Sequence, residues 1–190
     1  QQHVIHGDLK PQNVLLCENG KLKLCDFGSA IDMKTTTRID YNVPRGTVDY
    51  TAPEVVVRNT RAFSPAMDLW SLGCIIVCMW TGTCPFRAAS DALAIDKIMK
   101  YCDEYNRERN KVSKQIPAEH TGLVTQLIHP DATKRGDIHS IQSQYKNLFI
   151  QNEKDIPPYL PPRPDWWNEV QSETTHLRDG SQGWTAFVMD

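Results

Sequence analysis

The sequence predicts a mainly α-helical domain carrying one small β-hairpin. Three observations support this. The run Cys74-Ile75-Ile76-Val77-Cys78-Met79-Trp80 is continuously apolar and is followed by Gly82 and Pro85, which stop a helix. Two further stretches repeat apolar residues at helical spacing: Leu93, Ile95, Ile98 and Met99, then Leu123, Val124, Leu127 and Ile128. Near the start, Val14-Leu15-Leu16 and Lys21-Leu22-Lys23-Leu24-Cys25 flank Glu18-Asn19-Gly20, where Asn-Gly accepts positive φ at little cost.

The chain has 190 residues and a formal net charge of −2. That suits one globular unit, residues 1–150, and a flexible tail, residues 151–190. The balanced charge argues against a nucleic-acid partner and against an anionic membrane surface. The longest apolar run is too short to span a bilayer and reads as a buried helix. The six cysteines form no C-x-x-C pair and share no histidine pattern for a metal. Free thiols of this kind suit a reducing intracellular, cytoplasmic compartment.

Taken in order, His3-Val4-Ile5 reads as a short buried strand entering the loop His6-Gly7-Asp8-Leu9-Lys10-Pro11-Gln12-Asn13. The hairpin follows, with its second strand expected to be half-buried because polar and apolar residues alternate. Asp26-Phe27-Gly28 comes next. A carboxylate, a lysine and an amide thus share one loop, and the hairpin brings a second carboxylate to its base. Phosphoryl transfer from a magnesium nucleotide needs this set: a base for a hydroxyl proton, a cation near the moving phosphate, and oxygen ligands for the metal. Residues 29–45 are polar and threonine-rich, with Thr35-Thr36-Thr37 and Pro44, and read as a loop. Asp68 opens the apolar helix, residues 104–114 read as a charged helix end and loop, and residues 138–149 complete the globule.

The loop fits H-R-D-L-x-x-x-N at every fixed position except Gly7, and Asp26-Phe27-Gly28, Ala52-Pro53-Glu54 and Asp68-Leu69-Trp70-Ser71-Leu72-Gly73 follow in order. Over residues 4–149 this resembles the C-terminal lobe of eukaryotic serine/threonine protein kinases. The resemblance implies ATP and Mg2+ as cofactors and a protein substrate phosphorylated on serine or threonine. It implies Asp8 as catalytic base, Lys10 beside the transferred phosphate, and Asn13 and Asp26 as magnesium ligands. It gives supporting roles to His6, to Thr47 contacting Asp8, to Asp68 bracing the loop, and to Glu54 paired with Arg135. Lys10 and Thr47 are of the serine/threonine type rather than the tyrosine type. Gly46 to Glu54 and Thr81 to Asp91 look most like the SH3-binding kinase group.

The sequence departs from the family in three ways. Gly7 replaces the arginine that often clamps an activation-loop phosphate. No glycine-rich loop and no strand lysine occur, and only Gln1 to Ile5 precede His6. The N-terminal lobe is therefore expected to be absent, part of the apolar helix to be uncovered, and this chain alone to be a poor catalyst. In the tail, Pro158, Pro161 and Arg163 fit P-x-x-P-x-R, a polyproline II ligand for an SH3 domain. The competing reading is a truncated, kinase-like binding module that presents this tail.

Overall fold

The computed structural model describes residues 4–17, 22–34, 46–57 and 63–148. Strands β1 (Val4–Ile5), β2 (Val14–Leu16), β3 (Leu22–Leu24) and β4 (Ile31–Asp32) form two antiparallel pairs, β1 with β4 and β2 with β3. The β1–β4 register sets Ile5 opposite Ile31, and both are buried. The rest is helical: α1 (Pro53–Val56), α2 (Ala66–Thr81), α3 (Asp91–Asp103), α4 (Tyr105–Ser113), α5 (Ala118–Leu127) and α6 (Ile138–Gln144). The predicted class, helices with a small antiparallel ribbon, is what the described residues form. The Glu18-Asn19-Gly20 turn, the threonine run at 35–37 and the tail from residue 149 lie outside them.

Helix α2 is the axis of the fold. Met67, Trp70, Cys74 and Val77 are buried along it, and Gly82 ends it in the left-handed conformation (φ +75°), its N–H donating to Cys78 O. Trp70 stacks on Phe86 at 5.2 Å and meets the edge of Tyr101 at 5.9 Å, joining α2 to the following turn and to α3. Gly73 lets α5 approach closely. A Cβ there would lie 2.6 Å from Ile128 Cγ2 and 2.9 Å from Leu127 Cβ. Gly73→Ala should therefore destabilise the chain even though alanine is the better helix former. The propensity gain is about 1 kcal/mol, whereas overpacking costs about 1–3 kcal/mol, and Leu127 Cβ cannot rotate away. A lower urea midpoint is the expected result; an unchanged or higher one would show that α5 yields freely.

Several expectations need correction. The strand β3 is not half-buried: Leu22, Lys23 and Leu24 are all exposed, Leu22 to 65% and Leu24 to 49%. Alternation gives the pleat but not what covers it: Val14 on β2 packs against the core, whereas the β3 residues face outward. Residues 104–114 are not a helix end and loop. A break at Glu104 starts the separate helix α4, with Val112 buried. On α3 the inward positions are Ala94, Ile98 and Tyr101, while Leu93 and Ile95 face solvent. The expectation of a partly uncovered apolar helix agrees with α2, where Met79 and Trp80 at the C-terminal end are strongly exposed while the rest is largely covered. Asp137 caps α6: its Oδ1 accepts from His139 N and Ser140 N, and Ser140 Oγ accepts from Asp137 N. All six cysteines are free.

Candidate active site

The site lies where the 6–13 loop meets the segment opening at Gly46. Val14 pairs with Leu24, and Cys25 N donates to Asn13 O at 3.0 Å. Asn13 at the loop's end and Asp26 just past β3 therefore flank the same mouth of the ribbon. Pro11–Asn13 forms one 3-10 turn, closed by Val14 N donating to Pro11 O.

Asp8 is the hub. Its Oδ1 accepts from Thr47 N (2.8 Å) and from Thr47 Oγ1 (3.0 Å). Its Oδ2 receives Lys10 Nζ at 3.0 Å and Asn13 Nδ2 at 3.3 Å. Lys10 Nζ also donates to Thr47 Oγ1 at 2.9 Å, so that hydroxyl accepts from the lysine and donates to the aspartate. Four donors on one largely buried carboxylate fix its orientation far better than one bond would. Asn13 is itself buried, and its Nδ2 donates to Asp8 O at 2.8 Å. With the nitrogen so used, the amide oxygen is the end available to a cation.

Two elements hold this loop from beneath. Asp68, in the first turn of α2, accepts from His6 N at 2.7 Å and Gly7 N at 3.0 Å. Burial pushes the Asp68 carboxyl above its ordinary value, and these two N–H groups pull it back toward the charged form. His6 is buried. Its Nδ1 accepts from Asp8 N at 3.3 Å, so Nε2 carries the proton and donates to Cys25 O at 2.9 Å. That bond ties the loop to the strand leading into Asp26.

Asp26 is exposed and stands at φ 59°, ψ 72°, the one described non-glycine residue with positive φ. Its Oδ1 accepts from Gly28 N at 3.3 Å. A side chain held in that sparsely populated region is a candidate for function. Exposed Asp26 and the amide oxygen of Asn13 are hard oxygen donors of the kind magnesium takes, so the donor set fits that ion.

Glu54 and Arg135 meet away from the loop. Arg135 is fully buried and all five of its donors are used. Nη1 reaches Glu54 Oε1 (2.6 Å) and Ala66 O (3.0 Å), Nη2 reaches Glu54 Oε2 (2.8 Å) and Pro130 O (3.2 Å), and Nε reaches His129 O (2.8 Å). The guanidinium also lies over the Trp70 ring at 5.1 Å. Through α1 this pair anchors the chain that begins at Thr47.

Some contributors were not singled out from sequence. Ser71 Oγ donates to Tyr50 O at 2.8 Å, so α2 grips the Thr47 segment as well as the 6–13 loop. Its place in Asp-x-Trp-Ser-x-Gly was the available signal. Gly46 has φ +76°, and a Cβ there would lie 2.7 Å from Gly7 O. Gly7, at φ +79°, has no room for a Cβ either, since Ser29 O would be 2.8 Å away. The loop and the segment thus touch backbone to backbone, which only glycines allow. The SH3-ligand pattern from Pro158 to Arg163 lies outside the described residues.

Residues 1–145 match the family model described as protein kinase domain. The chain is similar to serine/threonine-protein kinase 36 of Pongo abelii, 42% identical over 97 residues, which cover 51% of this chain and 7% of that protein. It is 36% identical over 170 residues to the cAMP-dependent protein kinase catalytic subunit of Arthrobotrys oligospora, covering 84% of this chain and 30% of that protein. To serine/threonine-protein kinase MRCK beta of Homo sapiens it is 31% identical over 170 residues, covering 85% of this chain and 10% of that protein. The chain therefore spans between 7% and 30% of the length of these relatives.

Proposed function

The chain belongs to the protein kinase domain family, and from that premise we propose that it forms part of a serine/threonine protein kinase acting on protein hydroxyls. The observation that carries this is the Asp8 carboxylate, oriented at once by Thr47, Lys10 and Asn13. Asp8 takes the proton of the attacking hydroxyl. Lys10 sits one ion-pair length from Asp8 and offsets negative charge developing beside it. Asn13 and Asp26 would hold magnesium, and a magnesium nucleotide bound there would supply the phosphoryl group. Asp68 and His6 keep the loop in register, and Thr47 fixes the base. Exposed Leu16, Leu22 and Leu24 would pack against a nucleotide-covering lobe. The finer assignments, to the SH3-binding kinase group and to a cytoplasmic enzyme, rest on the segments 46–54 and 81–91 and on the free thiols.

The test is Asp26→Asn in the full-length gene product. Its only described hydrogen bond is to Gly28 N, so the fold should survive and circular dichroism should be unchanged. Phosphate incorporation into a generic serine/threonine peptide should fall at least a hundredfold, on the order of the loss from removing one electrostatic contact to the reacting charge. Wild-type turnover in the variant would remove Asp26 from the metal site. If neither protein transfers phosphate, the kinase-like binding module is the reading that stands.

A further inference from the structure

A groove of about 400 Å³ opens on the other side of α2, between its C-terminal end, the turn at residues 83–87, α3 and α4. Its floor is apolar and aromatic: Val77, Phe86, Tyr101 and Val112 are all buried. Its rim is basic, with Arg87, Lys97, Lys100 and Lys111 against a single lining carboxylate, Glu108. Lys111 pairs with Glu108 at 2.6 Å, and Lys97 Nζ donates to Arg87 O. Asp49 lies within electrostatic reach of Arg87 and Lys97 but forms no ion pair with either among the described residues. Arg87 and Lys100 are exposed and have no carboxylate partner among the described residues. The Tyr101 hydroxyl is also buried without a hydrogen-bond partner there, although Tyr101 is only 4% exposed. Leaving such a donor unpaired is costly, and an acceptor arriving in the groove would relieve it.

We propose that this groove is the seat of the chain's own segment 165–173, docked in cis. That segment reads Asp165-Trp166-Trp167-Asn168-Glu169-Val170-Gln171-Ser172-Glu173. It carries three carboxylates and no cation, the complement of the rim. Asp165, Glu169 and Glu173 fall at four-residue intervals, the spacing that lines one face when a segment folds as a helix on docking. Trp166 and Trp167 supply bulky side chains for an aromatic floor, and a carboxylate or backbone carbonyl supplies the acceptor for Tyr101. Reach is ample. From Leu148 to Asp165 the chain can extend up to about 55 Å, while a body of this size has a radius of gyration of about 15 Å. Tethering also holds the segment at an effective concentration near millimolar, so weak docking is enough. None of the groove residues belongs to the phosphoryl-transfer site.

The test is zero-length carbodiimide crosslinking of the full chain at low concentration, with peptide mapping of the monomer band. Links from Lys97, Lys100 or Lys111 to Asp165, Glu169 or Glu173 are expected to dominate. Trp166→Ala combined with Trp167→Ala should cut their yield at least fivefold, as should Arg87→Glu, while Arg87→Lys should keep it. These variants change an exposed rim residue or the tail, so circular dichroism should match wild type. Equal yields at Lys23 and Lys134 would overturn the proposal by showing an undocked tail. Links confined to a dimer band would overturn it in favour of a second copy seated in the groove.

Discussion

Asp8→Asn in the full-length gene product should lower phosphoryl transfer by about 10²–10⁴-fold, the range a positioned general base contributes. The loss has two sources. An amide cannot take the hydroxyl proton. It also cannot accept from every neighbour that now donates to the carboxylate. Thr47 N and Oγ1 approach one oxygen, and Lys10 Nζ and Asn13 Nδ2 approach the other. If the amide oxygen faces Thr47, the amide NH2 faces Lys10 and Asn13, donor against donor. If it is flipped, the NH2 faces Thr47 instead. The variant should therefore lose kcat with little change in the KM for the nucleotide, because none of these contacts needs the nucleotide to form. Steady-state phosphate transfer, with circular dichroism as the fold control, measures it. A kcat within fivefold of wild type would show that Asp8 orients the loop and does not take the proton.

Much of this site is legible in the sequence because it is local. His6, Asp8, Lys10 and Asn13 share one loop, and the strand pair from Val14 to Leu24 returns the chain to Asp26. Thr47, Asp68 and Arg135 are distant in sequence. Their partners follow from the family resemblance and not from any spacing, and the distances between them come only from the fold. What the sequence hides is burial that depends on neighbours. Leu22 and Leu24 have the alternation of a half-buried strand yet face outward, since alternation sets which side a residue occupies and not what covers it. Leu93 and Ile95 look like core residues, but Ala94, Ile98 and Tyr101 point inward. An alanine at the crowded face says little in a sequence. The α3–α4 break at Glu104 is similarly silent, since no glycine or proline marks it.

Arg135→Met should be the most damaging single change to stability, costing about 3–5 kcal/mol, as expected when one partner of a buried pair is removed. A domain holds only about 5–15 kcal/mol in total, so this is about a fifth of the reserve or more. The reason is what remains behind. Glu54, with a side chain only 10% exposed, would keep a charge whose bidentate partner is gone. Ala66 O, His129 O and Pro130 O would each lose their guanidinium donor. Methionine supplies volume against Trp70 but no donor, so packing cannot compensate. Arg135→Met combined with Glu54→Gln should be less destabilised than the sum of the two single changes, because the stranded charge is removed with the cation. Recovery should be partial, since the three carbonyls stay unserved. Urea unfolding of the four proteins closes the cycle. The loss should also reach the active site. Glu54 lies only seven residues after Thr47, and its bidentate pair with Arg135 is one of the ties that hold α1. Arg135→Met should therefore weaken phosphoryl transfer at temperatures where most of the protein is still folded. Additive single effects, or a loss below about 1 kcal/mol, would mean that the pair is solvated in solution and does not anchor the Thr47 segment.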